Sequence, residues 1–169
     1  MAGTTESWSI DLQKEYFKFS AAHFLIFPDG SAERLHGHNY RVRVRLGADL
    51  SPFGLVLDFK AVKPVVRAIC DRLDEHWLVP GEHAELRVVH SPQGSTEVRY
   101  RERVYSAPSE DVLVLPINNT SSENLAAWFG RELSAELARR FPEVPVTRLR
   151  VGVEETSGQE GVWSRGFDA

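Results

Sequence analysis

Apolar and polar residues alternate along two stretches of the chain with the two-residue period of half-buried strands. From Tyr16, residues Phe17, Phe19, Ala21 and His23 share one face, with Tyr16, Lys18 and Ser20 on the other. In the second stretch His38, Tyr40, Val42, Val44 and Leu46 face one way, and Asn39, Arg41, Arg43 and Arg45 the other. Extending it back two residues puts His36 on the face of His38. The cluster Pro28-Asp29-Gly30-Ser31 marks a loop between them.

The period then changes to that of a helix. Phe59, Val62, Val66, Ile69 and Leu73 form a helical stripe, in which Pro64 predicts a start nearby or a bend. A second helix is predicted from about Ser121 to Phe141, with Leu125, Phe129, Leu133 and Leu137 four apart and Pro142 as its stop. Residues 85–115 read as a β-hairpin insertion. There Ser91-Pro92 and Gln93-Gly94 signal the turn, and Val98, Tyr100, Glu102 and Val104 alternate with Arg99, Arg101 and Arg103. A last strand runs from about Leu149, with Leu149, Val151, Val153 and Glu155 on one face and Arg150, Gly152 and Glu154 on the other. Met1 to Ser7 read as a loose, polar end. The order strand, strand, helix, hairpin, helix, strand predicts one mixed α+β domain over residues 1–169.

Composition narrows the function classes. Twenty Lys and Arg against 24 Asp and Glu leave a net charge of −4, which disfavours a nucleic-acid partner. The single cysteine, Cys70, excludes an internal disulfide and a cysteine-rich zinc ribbon. No run of about 18 apolar residues predicts a membrane span, and charges within the first 20 residues argue against a signal peptide. The expected setting is cytoplasmic, without a membrane partner.

The histidines carry the strongest chemical signal. His36 and His38 leave one strand face together, and His23 ends another strand on its apolar face. If the strands are neighbours, three imidazoles converge. Such a set suits zinc, with one position left open for water or substrate. The competing reading makes His36-Gly37-His38 a surface turn. Glu155 continues an apolar row; it is either a carboxylate aimed inward at paired N–H donors of a ligand or a solvated strand end. Thr120 and Glu123 have the spacing of a helix-capping box, at a helix N-terminus that can also present N–H groups. Asp74 and His76 can form a proton relay or a solvated helix end. Cys70 reads as a packed thiol.

The segments Phe19-Ser20-Ala21-Ala22-His23, Leu35-His36-Gly37-His38-Asn39-Tyr40, Gly54-Leu55-Val56-Leu57-Asp58-Phe59, Leu73-Asp74, Ser121-Ser122-Glu123-Asn124 and Glu155-Thr156 occur in that order. Together they resemble the 6-pyruvoyltetrahydropterin synthase and 6-carboxytetrahydropterin synthase family. The resemblance implies the tunnelling fold: an antiparallel sheet with two helices on one face, assembling into an oligomeric barrel as a homo-oligomer, trimer or hexamer. It implies Zn2+ on His23, His36 and His38, and 7,8-dihydroneopterin triphosphate as substrate. Glu155 would anchor the pterin ring, with Ser121, Ser122, Glu123 and Thr156 at the substrate.

The sequence departs from the family at two places. The usual cysteine, four residues before the first histidine of the HGH motif, is Ala32 here, while Glu33 resembles a subgroup in which glutamate replaces it. That subgroup is linked to 6-hydroxymethyl-dihydropterin and folate synthesis. The usual Asp-His pair is interrupted, with Glu75 between Asp74 and His76. The expected function is therefore a zinc-dependent lyase with Glu33, Asp74 and His76 as catalytic residues and 6-hydroxymethyl-dihydropterin as product. The alternatives are a 6-carboxy or 6-pyruvoyl product, and a non-catalytic pterin-binding protein.

Overall fold

The computed structural model describes residues 6–167; the end read as loose thus falls partly outside the described residues. Its longest ladder joins β1 (Ser9–His23) to β2 (His36–Gly47), antiparallel, in a register that sets His23 opposite His36 and Ala21 opposite His38. The inward rows are those the alternation predicts: Phe17, Phe19, Ala21 and His23 on β1, and Tyr40, Val42, Val44 and Leu46 on β2, are all buried. Between Gln13 and Lys18 the ladder is irregular, because Lys14–Phe17 lie against Val42 alone. Below this bulge the buried residue is even-numbered Leu12; above it the buried residues are odd-numbered.

The sheet continues through β8 (Arg148–Thr156), antiparallel to β2, and β9 (Gln159–Arg165), antiparallel to β8. On its other side β3 (His76–Pro80) and β7 (Val112–Leu115) add in parallel, giving the order β7-β3-β1-β2-β8-β9. The antiparallel sheet of the sequence reading is thus extended by two parallel strands. Both are short apolar runs without alternation, unlike the half-buried strands that period two reveals.

Two helices cover one face. The first, α1 (Phe59–Leu73), begins where the Asp58 carboxylate accepts the Lys60 N–H at 2.8 Å and runs through Pro64. It buries Val62, Val65, Val66, Ile69 and Leu73. The second, α2 (Ser122–Arg140), buries Leu125, Phe129, Leu133 and Leu137 in the same core as the inward rows of β1, β2 and β8. Full burial of each such side chain is worth about 1.5–3 kcal/mol, so this core fixes the sheet that carries the histidines. The cap of α2 lies one residue later than the capping box predicts. Ser121 Oγ accepts the Asn124 N–H at 3.3 Å, whereas Thr120 Oγ1 donates to the Phe24 carbonyl at 3.0 Å.

Residues 86–108 form a separate three-stranded sheet, β4 (Leu86–His90), β5 (Ser95–Tyr100) and β6 (Arg103–Pro108), rather than one hairpin. The run read as one alternating strand is broken at Arg101, whose φ of 52° turns the chain from β5 into β6. A second core, including Phe24, Ile26, Trp77, Val98 and Tyr100, joins this sheet to the loop after β1. No described helix is long and apolar enough to cross a membrane.

Candidate metal centre and active site

The β1–β2 register assembles the histidine cluster at one end of the ladder. One ligand nitrogen from each of His23, His36 and His38 lies within 4.8 Å of the others, so the convergent reading holds and the surface-turn reading does not. Neighbouring carbonyls orient two of the rings. His23 Nδ1 lies 3.0 Å from the Thr120 carbonyl and His36 Nδ1 lies 2.7 Å from that of Arg34. Donation from Nδ1 leaves Nε2 with its lone pair free, the form a metal requires. His23 is fully buried, and its Nε2 makes no hydrogen bond. Burial, the dominant influence, holds its pKa below the ordinary histidine value against the opposing Thr120 carbonyl and Glu155 carboxylate. A buried, neutral, unpartnered imidazole nitrogen facing two others is the donor set of a divalent cation. The cluster can therefore coordinate a divalent metal.

Two carboxylates flank the cluster. Glu155 Oε1 lies 3.2 Å from His23 Nε2 and 3.7 Å from His38 Nε2, and accepts the Tyr40 hydroxyl at 3.2 Å. Tyr40 is fully buried; burial first, and Glu155 second, push its phenol pKa far above the ordinary tyrosine value. It remains a donor, and so holds Glu155 as an acceptor. Glu154, placed outward by the alternation, is nonetheless buried. It sits on the face away from the helices, where Gly158 N–H at 2.9 Å and Arg43 at 3.1 Å enclose it.

The second flanking carboxylate is Glu33. Its Oε2 accepts the Leu25 N–H at 3.1 Å and lies 3.9 Å from His36 Nε2. A loop carboxylate thus stands beside the cluster, whereas Cys70 is buried in α1 with its thiol pKa pushed up to about 12 by burial. Such a thiol is no nucleophile at neutral pH.

The remaining sequence-predicted residues are more scattered. Asp74 caps α1 and its carboxylate accepts Ser20 N–H at 2.6 Å, while its carbonyl, not its carboxylate, meets His76 Nδ1 at 2.6 Å. His76 and His38 both stand beside Ala21, on the strands either side of it, and both line a cleft of about 530 Å³ with Glu75 and Asp111. Ser121, Ser122 and Glu123 open α2 directly after Thr120, the residue that touches His23. Thr156 Oγ1 bonds Gln159 Oε1 at 2.8 Å across the β8–β9 turn. Sequence reasoning missed Tyr40 and Thr120 as supports. Tyr40 is hidden in an apolar row, and Thr120 orients His23 through a backbone carbonyl, which has no sequence signature.

Comparison with known proteins agrees with this geometry. The family model described as 6-pyruvoyl tetrahydropterin synthase matches residues 11–163. A relative from Methanocaldococcus jannaschii, provisionally named a 6-carboxy-5,6,7,8-tetrahydropterin synthase, is 35% identical over 84% of this chain and 86% of its own. The crystal structure of 6-pyruvoyl tetrahydropterin synthase from Plasmodium vivax superposes with a TM-score of 0.88 at 28% identity, covering 96% of this chain and all of that one. The Plasmodium falciparum protein of the same name gives 0.87 at 25%, over 95% and 99%. Variants of the Plasmodium vivax protein in which a glutamate described as catalytic becomes alanine or cysteine give 0.88 as well. A match along nearly the whole length, in sequence and in fold, establishes that this chain belongs to the 6-pyruvoyl tetrahydropterin synthase family.

Proposed function

We propose that the protein is a zinc-dependent lyase acting on 7,8-dihydroneopterin triphosphate. The observation that carries the reading is a three-imidazole cluster with a loop carboxylate, not a thiol, 3.9 Å from one ring. Zinc on His23, His36 and His38 would polarise the hydroxyls of the substrate side chain and acidify the adjacent C–H. Glu33 is the base that takes a proton from that side chain. Glu155, held by Tyr40, accepts the paired N–H donors of the pterin ring, and Ser121, Ser122, Glu123 and Thr156 are assigned to the substrate on the family resemblance. His76 faces the cleft shared with His38 and is the second proton-handling group, with Asp74 fixing its ring through the backbone. Loss of triphosphate, C–C cleavage or both follow. The protein works as a cytoplasmic homo-oligomer of the family's barrel type.

The names of the curated relatives support 6-carboxytetrahydropterin as product over the 6-hydroxymethyl product expected from the sequence. One observation favours the second: Glu33 occupies the place beside the cluster, and the similar Plasmodium vivax structures include substitutions of a catalytic glutamate. Mass spectrometry of the products formed from dihydroneopterin triphosphate by the zinc-loaded protein decides between them. A 6-carboxy product supports the relatives' reading and a 6-hydroxymethyl product the glutamate reading. Unchanged but bound substrate refutes both and leaves a pterin-binding protein. Glu33→Gln is expected to lower turnover about 10²–10⁴-fold, leaving a measurable residual rate, while retaining zinc and pterin binding; full turnover in that variant would remove Glu33 as the base.

A further inference from the structure

Glu33 lies in a loop with little regular structure of its own: residues 24–35 contain a turn and one isolated bridge, Ile26 to Ala32. The β4–β6 sheet grips this loop from outside the main sheet. The Tyr100 hydroxyl donates to the Gly30 carbonyl at 2.9 Å. The Arg103 guanidinium donates to two successive carbonyls, that of Ala32 at 2.8 Å and that of Glu33 itself. Beneath these bonds Phe24 stacks on Tyr105 at 5.5 Å between ring centres, and Ile26 packs in the core that holds Val98 and Tyr100. The fit is close at the loop's tip, where Gly30 has a φ of +79° and a Cβ would fall 2.0 Å from the Arg101 guanidinium.

We infer that the β4–β6 sheet sets the position of the Glu33 carboxylate through Arg103, which is a positioning residue of the active site. The inference rests on the reading of Glu33 as the base. A planar guanidinium can hold adjacent carbonyls with separate N–H groups, and so fixes the peptide plane from which the Glu33 side chain departs. The carboxylate has one further anchor, the Leu25 N–H. The other end of the loop is held independently: the Asn119 side chain bonds both the N–H and the carbonyl of Ile26, at 3.3 and 2.8 Å, next to the Thr120 carbonyl that orients His23. Removing Arg103 therefore loosens Glu33 and leaves the support of His23 in place, and zinc content reads whether His36, oriented by the adjacent Arg34 carbonyl, stays with it. A displacement near 1 Å of a reacting group costs about 100-fold in rate, which sets the scale.

The test compares Arg103→Gln and Arg103→Lys, alone and with Glu33→Gln, using zinc-loaded protein and dihydroneopterin triphosphate. Arg99→Gln, which breaks an exposed pair with Glu97 on the same sheet, serves as control. Arg103→Gln is expected to lower kcat about 10–100-fold with KM and zinc content nearly unchanged. Arg103→Lys should recover part of the loss, and Arg99→Gln should cost nothing. In the Glu33→Gln background Arg103→Gln should add no further loss, since it acts through the missing carboxylate. Unchanged kcat in Arg103→Gln, or an equal fall in both backgrounds, overturns the inference.

If Glu33→Gln itself retains full turnover, the base assignment has failed, and the mechanical part is judged separately by amide hydrogen exchange. Arg103→Gln should speed exchange at the Glu33 amide, bonded to the Leu25 carbonyl at 3.0 Å, and at the Leu25 amide, without changing that at Thr120. Equal exchange in variant and parent overturns the mechanical part as well.

Discussion

Replacing His36 by alanine separates the metal-binding role of a histidine from its structural one. The His36 side chain is 39% exposed, and its described hydrogen bond is to the Arg34 carbonyl. Its loss should cost the metal-free protein about 0.5–1 kcal/mol. The metal-bound protein loses far more. Tetrahedral zinc, at about 2.0–2.1 Å from each nitrogen, spaces its ligand nitrogens about 3.3 Å apart. The three nitrogens here lie within 4.8 Å of one another, so side-chain adjustments of about 1 Å close the site. Free zinc at 100 times its Kd stabilises the native state by about 2.7 kcal/mol. At 2–4 °C per kcal/mol for a chain of this size, that raises Tm by about 5–11 °C. Circular-dichroism melts with and without zinc, and metal analysis after dialysis against a mild chelator, should show that rise and one zinc per chain in the parent. Both should be absent in His36→Ala, because two imidazoles make a poor site. Stoichiometric zinc retained by the variant, or an undiminished Tm rise, would refute the ligand assignment.

Other expectations follow from packing and titration. Tyr40→Phe deprives Glu155 of its phenol donor and should raise KM for the pterin about tenfold, the low end for a hydrogen bond to a charged group, with zinc content unchanged. Gly130→Ala puts a methyl 2.2 Å from the Trp163 ring. The helix-propensity gain of about 1 kcal/mol is set against overpacking of about 1–3 kcal/mol, so urea melts should show no gain and a net loss of up to about 2 kcal/mol. Cys70 should resist a thiol reagent at pH 8 until the chain unfolds. Its pKa is raised from 9.0 to about 12, so the stability it contributes is present below pH 9.0 and lost as pH rises to about 12. Cys70→Ala should flatten the fall in Tm over that interval.

The residues that alternate or repeat with a helical period were legible from the sequence: the inward rows of β1 and β2, the stripes of α1 (except Phe59, which opens the helix exposed) and α2, and the three histidines at the ends of two rows. The missed strands lack that signal. His76–Pro80 and Val112–Leu115 are short, and each pairs in parallel with a strand far away in sequence. Gln159–Arg165 mixes glycine, charge and one tryptophan, and pairs through a tight turn at Gly158. The site was legible where chemistry requires a residue type, as at the histidines. It was illegible where support comes from a carbonyl, as at Thr120, or from a charge that looks like surface, as at Arg103, which the sequence shows only as one of three alternating arginines.

The bulge at Lys14–Phe17 decides which side of the sheet receives His23. Before it, even-numbered residues such as Leu12 point to the core; after it, odd-numbered ones do. An unbroken ladder in phase with Leu12 would offer Ala22 to the cluster and turn His23 to the opposite face. The metal centre is therefore sensitive to the arithmetic of a segment six to nine residues before His23 in sequence. An insertion or deletion of one residue there trades a ligand for a methyl group, whereas a change of two preserves the site. Length variation in this stretch is expected to come in even steps, a constraint on drift imposed by counting rather than by the chemistry of any side chain in the bulge.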